Sequence, residues 1–149
     1  MAGFQLRRAT LADLDDVFPR TRELNAHEGI ELTDEGLRRS LSELLATPAL
    51  GGVWLICDAA GATVGYAIVT YCFDLEFGGR EGWLTEIWVD DRARGHGAGT
   101  AALARLDEVL RAEGVRALHL QVRADNPAFQ LYKRLGFTVT PRHVMTRRM

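Results

Sequence analysis

A chain of 149 residues is long enough to bury a sizeable core and short enough to form one domain, expected over residues 1–149. It is 47% apolar and 26% charged, a globular make-up, and its formal net charge of −2 argues against a general nucleic-acid binder. No stretch approaches the ~18 consecutive apolar residues of a membrane span, so a cytoplasmic protein without membrane contact is expected. Cys57 and Cys72 stand in no metal-like or redox spacing and are expected as free, buried thiols.

In chain order, Phe4 and Leu6 alternate with polar neighbours as a short strand would. Thr10 and Asp13 make a capping-box pair before a helix carrying Leu11, Leu14, Val17 and Phe18. A loop, "NAHEGIELT", leads to Thr33, the cap of a second helix with Leu37, Leu41, Leu44 and Leu45 at helical spacing, closed by Pro48 and Gly51-Gly52. "VWLICD" and "TVGYAIVTYCF" read as strands around an "AAGA" hairpin turn. An irregular "DLEFGGREG" precedes the strand "WLTEIWV". Next come a glycine-rich turn, "RGHGAGT", and a helix from about Ala98 to Glu113 that ends at Gly114. "ALHLQV" is a short strand, and "NPAFQLYKRLGF" a helix capped by Asn126 with Pro127 at the first helical position, ending at Gly136. "FTVT" and "HVMTRRM" are expected as two last strands around Pro141. The order β-α-α-β-β-β-α-β-α-β-β describes one mixed α/β (α+β) sheet domain with helices packed on it.

The glycine turn raises a chemical question. Three glycines at a helix start are costly unless the backbone must bend or a ligand must come close. A phosphate suits such a place, because amides converge there and the helix start carries partial positive charge. A Walker A loop needs a lysine, and none is near; a dinucleotide fingerprint needs glycine where Thr100 stands. What remains is Arg94, Gly97 and Gly99 in the spacing Arg-x-x-Gly-x-Gly, directly after the strand ending "IWVDD".

This turn resembles the acyl-CoA signature of the GNAT superfamily of N-acetyltransferases. "NPAFQLYKRLGF" is similar to that superfamily's Asn-x-x-Ala-x-x-x-Tyr-x-x-x-Gly-Phe segment, with one residue fewer between Asn126 and Ala128. "LRRATLADLDDV" resembles its first strand and helix, so the likeness covers essentially the whole chain. The chain departs from the common pattern at Asp91, where proline is frequent, at His96, where lysine or arginine is, and at Ala98, where a branched aliphatic is. The resemblance implies a mixed, mostly antiparallel sheet flanked by about four helices. It implies acetyl-CoA as cosubstrate, with the amides of Arg94, Gly95, His96, Gly97, Ala98, Gly99 and Thr100 around the pyrophosphate. It places the pantetheine arm along Ile87, Trp88 and Val89, with Asn126 beside it and the Val89 N–H as oxyanion donor.

Acetyl transfer needs an amine that has lost its proton and a thiolate that can leave. An alkyl amine of pKa near 10 is only ~0.1% neutral at pH 7. Glu86, in "LTEIWV", is the candidate base; the competing role is a solvated or ion-paired strand carboxylate. Tyr132 sits where the resemblance implies a tyrosine that protonates the departing thiolate; the competing role is a packing ring. The four histidines, His27, His96, His119 and His143, show no zinc-like spacing, and no metal is expected. His119 is expected to be structural and His27 a solvated loop residue.

By resemblance, acceptor specificity comes from the loop between the first two helices, the segment before the fourth strand, and the last strand turn. Glu28 and Glu31 in the first, with Asp74, Glu76 and Glu81 in the second, would steer a cationic amine, and Phe73 and Phe77 could pack its carbon chain. They serve equally well as ordinary polar loop residues. A small molecule or a peptide can supply the amine, and a homodimer is allowed. The competing function is a non-catalytic acyl-CoA-binding regulatory module.

Overall fold

The computed structural model describes residues 3–149. Five strands form one sheet in sequence order: β1 (Gln5–Arg8), β2 (Gly51–Cys57), β3 (Thr63–Asp74), β4 (Gly79–Val89) and β5 (Leu118–Leu120). The first four are antiparallel neighbours, while β5 runs parallel to β4. Four helices accompany them: α1 (Leu14–Glu28), α2 (Asp34–Ala46), α3 (Ala98–Ala112) and α4 (Ala128–Arg134).

The strand periodicity sorts the core into two faces. On one, α1 and α2 set Val17, Phe18, Leu24 and Leu41 against Val53, Leu55, Tyr66 and Ile68. On the other, α3 sets Leu103, Leu106 and Leu110 against Trp54, Ala67, Val69 and Leu84, with Tyr132 and Leu135 of α4 at the margin. No helix among the described residues is long and apolar enough to cross a membrane.

The caps form as their sequences dictate. The Asp13 carboxylate accepts from the Thr10 N–H at 2.9 Å, and Thr33 Oγ1 accepts from the Gly36 N–H at 3.0 Å. In the β2–β3 turn, Asp58 Oδ1 accepts from the N–H groups of Ala60 and Ala62, and Gly61 takes a φ of 84°.

Six expectations need correction. Residues 137–149 form no strand, although "FTVT" and "HVMTRRM" have strand composition. A strand needs a neighbour whose edge continues. β5 stops after three residues, Pro141 offers no N–H, and Arg142 is tied to Glu76 by an ion pair of 2.7 Å. β5 itself is shorter than "ALHLQV". β4 begins at Gly79, inside the segment read as irregular, and Gly51-Gly52 open β2 instead of only closing α2. α1 runs through His27 to Glu28 and ends at Gly29, whose left-handed φ of 67° terminates it. Of the two free thiols, Cys57 is buried and Cys72 exposed.

Two features fix the end of β4. Arg20 of α1 bonds Asp90 at 2.8 Å, Asp16 at 2.6 Å and the Thr63 carbonyl at 3.0 Å, clamping α1 to the β3–β4 end. Gly65 faces Val89 across the ladder, and a Cβ there would strike the Trp88 carbonyl. Gly65→Ala is therefore expected to lower stability by about 1–3 kcal/mol, the range for overpacking. Denaturant titration checks this, and an unchanged midpoint would show that β4 moves aside freely.

Candidate active site

β4 changes partners along its length. Gly82, Trp83 and Leu84 pair with Leu118, His119 and Leu120 of β5. A bulge then follows: Val69 faces Leu84 and Ile68 faces Glu86, which leaves Thr85 as the extra residue. Beyond it, no strand among the described residues lies on the β5 side of β4. Asp90 donates its N–H to the Val64 carbonyl at 2.8 Å. Hydrogen-bonded and non-hydrogen-bonded pairs alternate in an antiparallel ladder, so Ile87 and Val89, opposite Ala67 and Gly65, turn their N–H and C=O groups away from β3. The result is a backbone edge paired with no described strand where β4 and β5 part, on which the Val89 carbonyl accepts from Arg94.

The glycine turn stands at the end of that edge. Gly95 and Gly97 have φ of 77° and 82°, a left-handed conformation that side chains rarely adopt. Gly97 is the residue before α3. Gly99, in the first turn of the helix, has no such need, and a Cβ at Gly95 or Gly99 would meet nothing within 4 Å. At Gly99, open space lies over a residue that local structure does not require to be glycine, which is what an anion cradle needs. Ala98 is 2% exposed and packs inward, so only its backbone serves the cradle. Thr100 is half-buried in the first turn of α3. Arg94 folds back: its Nε donates to the Val89 carbonyl at 2.9 Å, it pairs with Asp91 at 2.6 Å, and its guanidinium lies 4.5 Å from the Trp88 ring centroid. His96 is exposed, with Nδ1 2.9 Å from the Arg94 carbonyl.

Glu86 and Tyr132 lie on opposite faces of the sheet. Glu86 shares the α1–α2 face with Tyr66, whose hydroxyl donates to its Oε1 at 3.1 Å. Burial pushes the Glu86 carboxyl above the ordinary carboxylate range, and the Tyr66 hydrogen bond pulls it partly back. Tyr66 was not singled out in the sequence; only the register, which sets Ile68 opposite Glu86, shows that the phenol can reach it. Tyr132 belongs to the α3 face, in the apolar cluster that includes Ile87 and Leu120, with its ring edge-on to Phe137 at 5.6 Å. Burial pushes its phenol up, and its hydroxyl bonds no described residue. Asn126 is exposed, and its Oδ1 accepts from the Ala128 N–H at 2.9 Å. That bond closes a turn ahead of α4, whose N-cap is Pro127 and not, as expected, Asn126.

The acceptor-side expectations divide. Glu28 and Glu31 are exposed, as are the neighbouring Ile30 and Leu32. Phe73 and Leu75 are exposed as well, while Asp74 is spent on capping the Glu76 N–H. Glu81 is not a rim residue: it is 5% exposed and holds Trp83 and His119. His27 is a helix residue, 6.1 Å edge-on from Trp88. A cavity of about 230 Å³ lies elsewhere, between α2 and β2 beside Arg8, Leu44 and Gly52, with none of the candidate residues in its wall.

Known proteins share this fold. Residues 15–137 match the model of the acetyltransferase (GNAT) family. A stretch of 86 residues is 34% identical to an uncharacterised N-acetyltransferase of Methanocaldococcus jannaschii, covering 56% of this chain and 38% of that protein. The match thus spans well under half of the curated relative's length. An integron cassette protein from the mobile metagenome of Cole Harbour salt marsh superimposes with a TM-score of 0.85 at 30% identity, over 97% of this chain and 90% of its own. A candidate acetyltransferase of Clostridium acetobutylicum, solved with acetyl-CoA, has the same fold, with a TM-score of 0.78 at 21% identity over 97% and 96% of the two chains.

Proposed function

The chain belongs to the GNAT family of acetyltransferases, and we propose that it moves the acetyl group of acetyl-CoA to a primary amine by direct attack in a ternary complex. The β4 edge, paired with no described strand and ending in an open glycine cradle, carries this reading. The structural neighbour solved with acetyl-CoA supports it. The amides from Arg94 to Thr100 would hold the pyrophosphate, and the backbone of Ile87 and Val89 the pantetheine arm, beside Asn126. Acetyl-CoA, when bound, supplies an activated thioester.

The chain's own groups then divide the work. Glu86 takes a proton from the acceptor ammonium, for which a carboxyl above its ordinary range is better matched than an exposed one. The Val89 N–H donates to the carbonyl oxygen as it gains charge. The Tyr132 hydroxyl gives its proton to the departing sulfur. Exposed Glu28 and Glu31 with Ile30, Leu32 and Leu75 favour an amine with a carbon chain and a positive charge, while Glu76 is paired with Arg142. A thiol-release screen of acetyl-CoA against a panel of amines tests the activity. Tight acetyl-CoA binding with no thiol release from any amine would favour a regulatory binder.

The cradle makes its own prediction. Gly97→Val puts a branched side chain on a left-handed residue of the cradle and is expected to weaken acetyl-CoA binding about 30-fold, equivalent to ~2 kcal/mol of charge-assisted hydrogen bonding. Gly99→Ala is the companion: it should raise stability by about 0.5–1 kcal/mol, as a better helix former, while also weakening binding. Calorimetry on the folded variants checks both. Unchanged affinity in the two would remove the cradle assignment.

A further inference from the structure

Glu81 is a carboxylate buried to 5% exposure inside a sheet. Such a group is stable only when its oxygens are satisfied. Trp83 Nε1 donates to its Oε1 at 3.3 Å, and His119 Nε2 lies 2.7 Å from its Oε2. A carboxylate can only accept, so Nε2 carries a proton, and in the neutral imidazole Nδ1 then holds the lone pair. The imidazole is also held by its faces. It stacks on Trp83 at 4.8 Å and 28°, and Phe77 meets it edge-on at 4.9 Å. Nδ1 has no partner among the described residues, and the side chain is 24% exposed. A simple packing role for His119 would not require a buried carboxylate to fix its tautomer.

The place of this group matters. Trp83 and His119 are register partners just before the point where β4 and β5 part. Glu86 follows Trp83 by three residues on the same strand, across the Thr85 bulge, a backbone separation of at most roughly 10 Å at ~3.3 Å per residue. We propose that His119 is an acceptor-binding residue: its Nδ1 accepts a hydrogen bond from a second cationic nitrogen of the acceptor, on the order of 10 Å from the amine that is acetylated. Glu81 is its positioning residue, and Trp83 and Phe77 offer ring surface to the cation. The acceptor class is a molecule with two amines separated by a chain of about that span. This rests on the proposed amine acetylation and narrows its substrate.

Octamethylenediamine and octylamine differ only in the second amine and make the test. Wild type is expected to prefer the diamine in kcat/KM by about tenfold, the order of one hydrogen bond to a charged group. His119→Phe keeps a ring between Trp83 and Phe77 but has no Nδ1, and it should bring the ratio near one, with the change in KM. Glu81→Gln, which keeps size but loosens the tautomer, should lower the ratio as well. It also serves if the phenylalanine variant does not fold. No preference in wild type, or a ratio unmoved in both variants, overturns the proposal. A readout without turnover keeps it separate from the activity: the His119 ring nitrogens, followed by NMR, should shift when octamethylenediamine is added to the protein alone. If no amine is acetylated and this shift is present, the enzymatic reading fails and the binding site stands. Absence of the shift with the diamine in large excess sinks the site.

Discussion

Replacing Tyr132 with phenylalanine is expected to lower turnover about 100-fold, the low end for removing a positioned acid, while leaving acetyl-CoA affinity nearly unchanged. The structure makes this a clean substitution. The Tyr132 ring packs in the α3-side cluster and against Phe137, and phenylalanine preserves both contacts. Its hydroxyl bonds no described residue, so removing it breaks no hydrogen bond of the fold. Burial pushes the phenol above its ordinary value, so it keeps its proton through neutral pH and beyond. A departing thiolate would otherwise leave unprotonated. Single-turnover thiol release, where chemistry limits the rate, is the measurement, with calorimetry for affinity. Near wild-type release would reduce Tyr132 to a packing ring.

Which parts of this architecture were legible in the sequence follows from how local their causes are. Thr10–Asp13 and Thr33 announce helix starts because a cap involves residues two or three apart. The leucines of α3 announce their face by spacing alone. The last two strands were misread for the same reason in reverse. The composition of "HVMTRRM" is local, but pairing is not, and β5 ends too early to offer an edge. Hydrophobic content then leaves Val144 and Met145 exposed at 59% and 92%.

The site shows the same division. The glycine turn could be found because a sequence of backbone requirements is written in consecutive residues. The Tyr66–Glu86 and Glu81–His119 contacts could not, since they depend on register between strands and on a bulge at Thr85. A one-residue slip would send each of these side chains to the opposite face. Glu81 is the plainest case. In sequence it is one of several acidic residues near a turn, while in the fold it is a buried anchor for an imidazole. Arg94 teaches a smaller lesson: the arginine of the motif is committed to the Val89 carbonyl, Asp91 and Trp88. It supports the corner between β4 and the cradle.

Glu86→Gln is expected to lower turnover about 100-fold near neutral pH, because the amide keeps the size and the Tyr66 contact but cannot take a proton. Part of the rate should return at high pH, where more of the acceptor amine is already neutral. In wild type, the acidic limb of kcat/KM should lie above the ordinary carboxylate range, since burial raises the Glu86 carboxyl. In the variant that limb should vanish. A steering role gives another pattern: KM rises, turnover is kept, and wild-type kcat/KM falls as salt screens the exposed loop carboxylates over a Debye length of ~8 Å. Stability provides a control independent of activity. The unfolded carboxyl loses its proton at about pH 4.3, before the folded one does. Between those two values the native state binds more protons than the unfolded state, so wild-type stability falls as pH rises through that window. The glutamine variant has no such proton and should lose this component of the slope. A variant that loses the slope yet turns over like wild type across the pH range would leave Glu86 a buried carboxylate with no part in catalysis. Ordered water or another carboxylate would then be the base.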